Sequence, residues 1–207
     1  MYTGHAGASV LGVTTSLDVR PVGPAEVGAL ERLFASERNT RHCWCMSFCT
    51  SRAQFAAGWF GGGNRRRFEA MASGDTPVGV IAFRNGTPVG WGACGPRSRY
   101  VGANPSRHPM LGGRSRAEDE TVWLLPCLFV HVGHRVSGVS HALVDAAVSL
   151  ARGEGAVAIE GWPLASLESR SAEAFVGREQ LFAELGFRCV ERPGPTRAIM
   201  RLDLIAV

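Results

Sequence analysis

The segment from Val130 to Leu143 carries the clearest chemistry in this chain. An apolar run ends near Val132, a turn of small residues follows, and an amphipathic helical pattern begins at Gly138. In a strand–turn–helix of this kind the N–H groups of the turn and of the helix start point the same way. They can hold a pyrophosphate without a basic side chain. Gly138 would let the backbone approach phosphates closely, and Arg135 could add charge. The plain alternative is an ordinary βαβ turn whose glycine serves close packing. Proton-accepting carboxylates stand near the neighbouring strand ends. Glu118, Asp119 and Glu120 precede the apolar run, and Glu160 closes the next one between Ile159 and Gly161-Trp162. Either group could take a proton directly or through water, and Glu160 and Glu120 are the candidate catalytic bases. His131 and His134 flank the turn and read more readily as surface or packing groups. Cys127 on the apolar run reads as core, with an acyl-cysteine role as the alternative.

One further segment is chemically dense: His42-Cys43-Trp44-Cys45-Met46-Ser47-Phe48-Cys49. Its thiols could ligate zinc, but structural zinc sites pair two Cys/His knuckles and no second one exists here. No metal is therefore expected.

The composition bounds the rest. With 207 residues, 45% of them hydrophobic, the chain suits one domain with a substantial core. No apolar run approaches the ~20 residues of a membrane span. Residues 1–16 are rich in Gly, Ser, Thr and Ala and hold no Lys or Arg, so they read as a flexible tail rather than a signal peptide, and a cytoplasmic protein is expected. Without an export signal the six cysteines read as thiols and not as a disulfide framework. The formal charge is +4, and all 22 basic residues are arginine. Arginine suits bidentate phosphate contacts. Nucleic-acid binding would need a basic face with a recognition motif, and only Arg65-Arg66-Arg67 is dense, so none is expected.

The elements that must position the turn follow from periodicity. Leu17–Val22 alternates as a strand does, and Pro24 opens a helix carrying Val27, Leu30, Leu33 and Phe34 on one face. Residues 41–63 read as irregular. Asn64 is placed as the cap of a helix over Arg65–Ala72. Asn85-Gly86 joins strands Val78–Arg84 and Pro88–Cys94 as a type I′ hairpin. A long loop over 95–119 leads to the buried strand Thr121–Val132, then a helix to Arg152, a strand Ala156–Gly161, a helix over Ser171–Leu185, and closing strands Phe187–Glu191 and Arg197–Leu204. The fold class is α/β: a mixed, mostly antiparallel central sheet with a βαβ unit and helices on both faces, forming one domain over 17–207.

Arg135-Val-Ser-Gly138-Val-Ser140 resembles the pyrophosphate loop of the GNAT superfamily of acetyl-CoA-dependent N-acetyltransferases, Gln/Arg-x-x-Gly-x-Gly/Ala, with Ser in the last place. Phe182-Ala-Glu-Leu-Gly186-Phe187 resembles the family's late aromatic-x-x-x-Gly-Phe element, and the element order matches from Leu17 to Leu204. The resemblance implies acetyl-CoA held by backbone groups of Leu128, Phe129 and Val130 and by the loop Arg135, Val136, Ser137, Gly138, Val139 and Ser140. It implies direct transfer of the acetyl group to a primary amine or hydrazine-type nitrogen of a small molecule or a protein lysine, in a monomer or homodimer. A similar Cys-Trp-Cys-Met stretch occurs in a set of GNAT-like proteins, and the region walls the acceptor pocket in the superfamily. That implies acceptor contacts from Trp44, Phe48, Trp91 and Tyr100. Two departures matter. Phe182 stands where many members carry a tyrosine general acid, and Val136 replaces a common glycine, which would tighten the loop. The first keeps an alternative open, a catalytically weak sensor of acyl-CoA.

Overall fold

The computed structural model describes residues 17–38, 40–101, 114–165 and 176–204. Asn85 and Gly86 take φ of +50° and +79°, the left-handed pair of a type I′ turn. They join β2 (Gly79–Arg84) to β3 (Thr87–Pro96) where the sequence places the hairpin. β1 (Leu17–Pro21) lies along the free side of β2, and β4 (Val122–Val130) along β3. β5 (Ala158–Gly161), β6 (Arg188–Gly194) and β7 (Arg197–Asp203) complete seven strands in the order β1-β2-β3-β4-β5-β7-β6. Only β4 and β5 run parallel.

Every residue of β4 is buried, as a central strand covered on both faces requires. One face packs on α5 (Val139–Gly153), whose stripe of Val139, Leu143, Val144, Ala147 and Val148 meets Val80, Val89, Leu128 and Val130. Gly90 lets that helix settle directly on β3: a Cβ there would stand 2.7 Å from Val139 Cγ1. α6 (Glu179–Glu184) contributes Leu181 and Phe182 to the same face. The other face packs on α1 (Val27–Ala35) and α3 (Gly63–Ala72), with Leu30, Leu33, Phe34 and Phe68 against Ile81, Trp91 and Phe129.

The structure departs from the sequence reading in three places. Residues 41–63 are not wholly irregular, because α2 spans Arg52–Trp59. Its start is a reciprocal cap in which Gln54 N–H donates to Ser51 Oγ (3.2 Å) and Ser51 N–H to Gln54 Oε1 (3.1 Å). Asn64 caps nothing: it is buried inside α3, and its amide donates to the carbonyls of His42 (3.0 Å) and Phe55 (3.3 Å). Residues 177 and 178 are not helical, so among the described residues the late helix is Glu179–Glu184; residues 166–175, where it was expected to begin, lie outside them, as do the expected tail 1–16 and residues 102–113 of the long loop. A turn of helix, α4 (Ser98–Val101), follows β3. No helix of the described residues is long and apolar enough to cross a membrane.

Candidate active site

The site is a fork in the sheet. β4 and β5 pair from Val122↔Ala158 to Leu125↔Gly161; there β5 ends, while β4 continues to Val130. At the branching point the β3–β4 register shifts, Ala93 opposing Cys127 and Gly95 opposing Leu124, which places an extra residue in β4. The bulge falls at Leu125–Pro126, where a proline, lacking an N–H, removes no ladder bond that the bulge has not already broken. Bulges bend the strand that carries them, and here the bulge coincides with the end of the β4–β5 pairing. Leu128, Phe129 and Val130 therefore lie beyond the reach of β5.

A turn and a helix start close the end of the fork. Val132–His134 forms one 3-10 turn, with Gly133 N–H donating to His131 Nδ1 (3.3 Å). Ser137 Oγ donates to the His134 carbonyl (2.6 Å), Arg84 Nη2 to the Ser137 carbonyl (3.0 Å), and Arg135 Nε to the Val130 carbonyl (3.4 Å). Val136 takes φ of +58°, left-handed for a β-branched residue and wholly exposed, where the resemblance expects glycine. Gly138 takes φ of +81° with open space around it, so the conformation and not crowding calls for glycine. α5 begins at the next residue, and its first N–H groups have no carbonyl within the helix to bind. Arg135 through Ser140 thus form a continuous loop with a helix N-terminus at the mouth of the fork, an arrangement that suits a phosphate.

Phe182 is fully buried at the fork, packed edge-to-face on Phe187 (5.1 Å) and over Gly161, where a Cβ would stand 2.6 Å from its Cζ. It brings an apolar ring, with no proton to give.

The two carboxylates proposed as bases are placed otherwise. Glu160 is 1% exposed and bound on all sides by guanidinium groups: Arg114 in close contact, Arg201 Nη1 at 3.2 Å and Arg97 Nη1 at 3.9 Å. Arg97, itself fully buried, also binds Asp119 (2.7 Å) and the Ser115 carbonyl. Glu160 is thus the centre of a buried ionic knot whose oxygens are committed, rather than a free base. Glu120 lies before β4, at the end remote from the loop, exposed and accepting from Ser98 Oγ (3.0 Å).

Three of the four candidate acceptor residues, Trp44, Trp91 and Tyr100, are buried. Trp91 is fully enclosed against Phe68 (5.8 Å) and Phe34 (6.3 Å), and Trp44 packs on Phe34 (5.3 Å) and Phe68 (5.4 Å). Both are core, because the helices on this face close over them. Tyr100 is 2% exposed beside Leu124, Trp162 and Ile199, and burial holds its hydroxyl well above the usual tyrosine range. Phe48 is half-buried and joins that group to the larger core. Trp162, which the sequence reading used only as a sign that Glu160 is partly buried, completes that buried group. Among the described residues no three His, Cys, Asp or Glu side chains group to hold a metal ion.

A strand that continues past its parallel neighbour into an anion-binding helix start suits a long phosphorylated ligand. Residues 40–175 match the Acetyltransferase (GNAT) family, and the chain belongs to it: it is an acyl-CoA-dependent N-acyltransferase. Solved structures share the fold at low identity. The Salmonella typhimurium protein yncA, with acetyl-CoA, superposes at TM-score 0.54 and 17% identity, covering 91% of this chain and 94% of its own. The PaiA N-acetyltransferase of Thermoplasma acidophilum, in complex with coenzyme A, gives 0.53 and 10%, covering 91% and 99%. A GNAT acetyltransferase from Streptococcus pneumoniae gives 0.51 and 13%, covering 91% and 99%. No curated protein matches the chain.

Proposed function

We propose that this protein transfers the acetyl group of acetyl-CoA to the nitrogen of a primary amine or hydrazine-type acceptor, by direct attack in a ternary complex. The observation that carries this reading is the fork itself: a central strand released from its parallel neighbour at a proline bulge, leading straight into a glycine-bearing helix start. Residues Arg135–Ser140 hold the pyrophosphate, and Leu128–Val130 line the thioester arm. Backbone N–H groups of β4 beyond Pro126 stabilise charge that develops on the acetyl oxygen.

The acceptor must arrive neutral or lose its proton at the fork. With Glu160 tied into the ionic knot and Glu120 remote, water takes that proton. Phe182 gives none to the departing thiolate, which leaves readily without one. Of the candidate acceptor residues Phe48 keeps part of its ring open, and this apolar surface favours a small amine with an apolar body over a protein lysine.

The test is acetyl-CoA with a panel of amines, following CoA release, alongside Gly138→Asp. Aspartate would put a like charge at the pyrophosphate and a side chain at φ +81°. CoA affinity should fall roughly tenfold or more, about 1.4 kcal/mol or above. Unchanged affinity in a folded variant would remove the loop assignment. Tight CoA binding with no release for any amine would replace transfer with acyl-CoA sensing, the reading that an apolar Phe182 favours.

A further inference from the structure

The loop at the mouth of the fork is gripped by a residue from outside it. β2 ends at Arg84, whose place is fixed by the Asn85-Gly86 turn and by its pairing with Thr87. The residue is half-buried, and its Nη2 donates to the Ser137 carbonyl at 3.0 Å, across 53 residues of sequence. Its Nε is buried and has no hydrogen-bond partner. A surface arginine ordinarily keeps every N–H paired or in water, and leaving a buried donor unpaired is unfavourable. What the side chain gains in this position is its hold on the loop.

The backbone under that hold is strained. Val136 takes φ of +58° and Gly138 takes +81°, with Ser137 between them. A β-branched residue in the left-handed region persists only where its surroundings impose it. Val136 is wholly exposed, so packing of its side chain supplies no such constraint. Two hydrogen bonds at the next residue do: Ser137 Oγ to the His134 carbonyl (2.6 Å), and Arg84 to the Ser137 carbonyl. The second also sets a direction. In a trans peptide the carbonyl and the N–H of one plane point opposite ways. Fixing the Ser137 carbonyl on Arg84 therefore turns the Gly138 N–H away from Arg84. Among the described residues no backbone carbonyl accepts from the N–H of Val136, Ser137 or Gly138, and a Cβ on Gly138 would meet nothing within 4 Å. These are N–H groups left for a ligand.

We propose that Arg84 is a positioning residue for acetyl-CoA: from β2 it sets the peptide between Ser137 and Gly138, so that the loop is already formed when the pyrophosphate arrives. It acts through the Ser137 carbonyl and not on the reacting atoms. A loop ordered in advance loses no affinity to its own ordering. The proposal rests on the reading of Arg135–Ser140 as the pyrophosphate loop and adds the residue that shapes it.

The test measures binding of CoA, and of pantetheine as the same arm without its pyrophosphate, to the full chain, to Arg84→Ala and to Arg84→Lys. Isothermal titration serves for CoA, ligand-observed NMR for pantetheine, and thermal unfolding checks the fold of each variant. In Arg84→Ala the CoA affinity should fall about tenfold, the scale of one hydrogen bond from a charged donor, while pantetheine binding stays the same. Arg84→Lys keeps a donor and should recover most of the loss. The loss should persist at high salt, since a misplaced peptide and not a screened ionic contact causes it. In turnover, KM for acetyl-CoA should rise while kcat holds. Unchanged CoA affinity in a folded Arg84→Ala, an equal loss for pantetheine, or a loss abolished by salt would each overturn the proposal. A wild-type chain that binds CoA no tighter than pantetheine would instead remove the loop reading itself, and this proposal with it.

Discussion

The carboxylate of Glu160 meets Arg114, Arg201 and Arg97 with 1% of its surface exposed. Removing such an ion from water costs several kcal/mol, offset only while its partners stay in place. Glu160→Gln keeps the shape but leaves buried guanidinium groups without their shared counter-charge. The expected result is a loss of about 3 kcal/mol in unfolding free energy, measured by denaturant titration, with the pH dependence of acetyl transfer unchanged. A flattened pH profile in a variant of undiminished stability would restore Glu160 as the base. The sequence could offer a carboxylate at a strand end, but not that three arginines, one of them 41 residues away, would converge on it. Trp44 and Trp91 misled for a related reason. An indole reads alike in a pocket wall and in a core until the helices above it are placed.

β5 ends where the ring of Phe182 lies across Gly161, and this contact joins strand to helix α6 at the fork. Gly161→Ala would push a methyl group into that ring, and overpacking of this kind costs about 1–3 kcal/mol. Thermal unfolding should report the loss, and CoA affinity should fall with it as Phe182 is driven toward the fork. If stability holds, the ring is not fixed there. At this level much was legible. Asn85-Gly86 announced the hairpin because only left-handed residues close a two-residue turn. The α5 stripe and its glycine start announced the loop. Helix α2 was not read, because its apolar residues do not gather on one face; its one clear signal was Ser51-x-x-Gln54, a capping box. The fork was invisible, since the sequence shows Pro126 inside an apolar run without saying which strand it frees.

Apart from the β4–β5 contact, all strand pairs are antiparallel, so the sheet is two antiparallel halves joined along four residue pairs. The ionic knot straddles that join: Arg97 follows β3, Asp119 precedes β4, Glu160 lies on β5 and Arg201 on β7. A ligand seated in the fork would brace both halves, which couples the stability of the whole molecule to the site. The parallel join also sets an order in time. The β2–β3 hairpin closes through two residues, while β4 and β5 can meet only after the α5 crossover has formed between them. The first half should therefore assemble early and the join last. Pulse-labelled hydrogen exchange during refolding should show amides of β2 and β3 protected before those of β5, and simultaneous protection would refute that order. The binding fork would then be the final feature to appear as the chain folds and the first to be lost when it loosens.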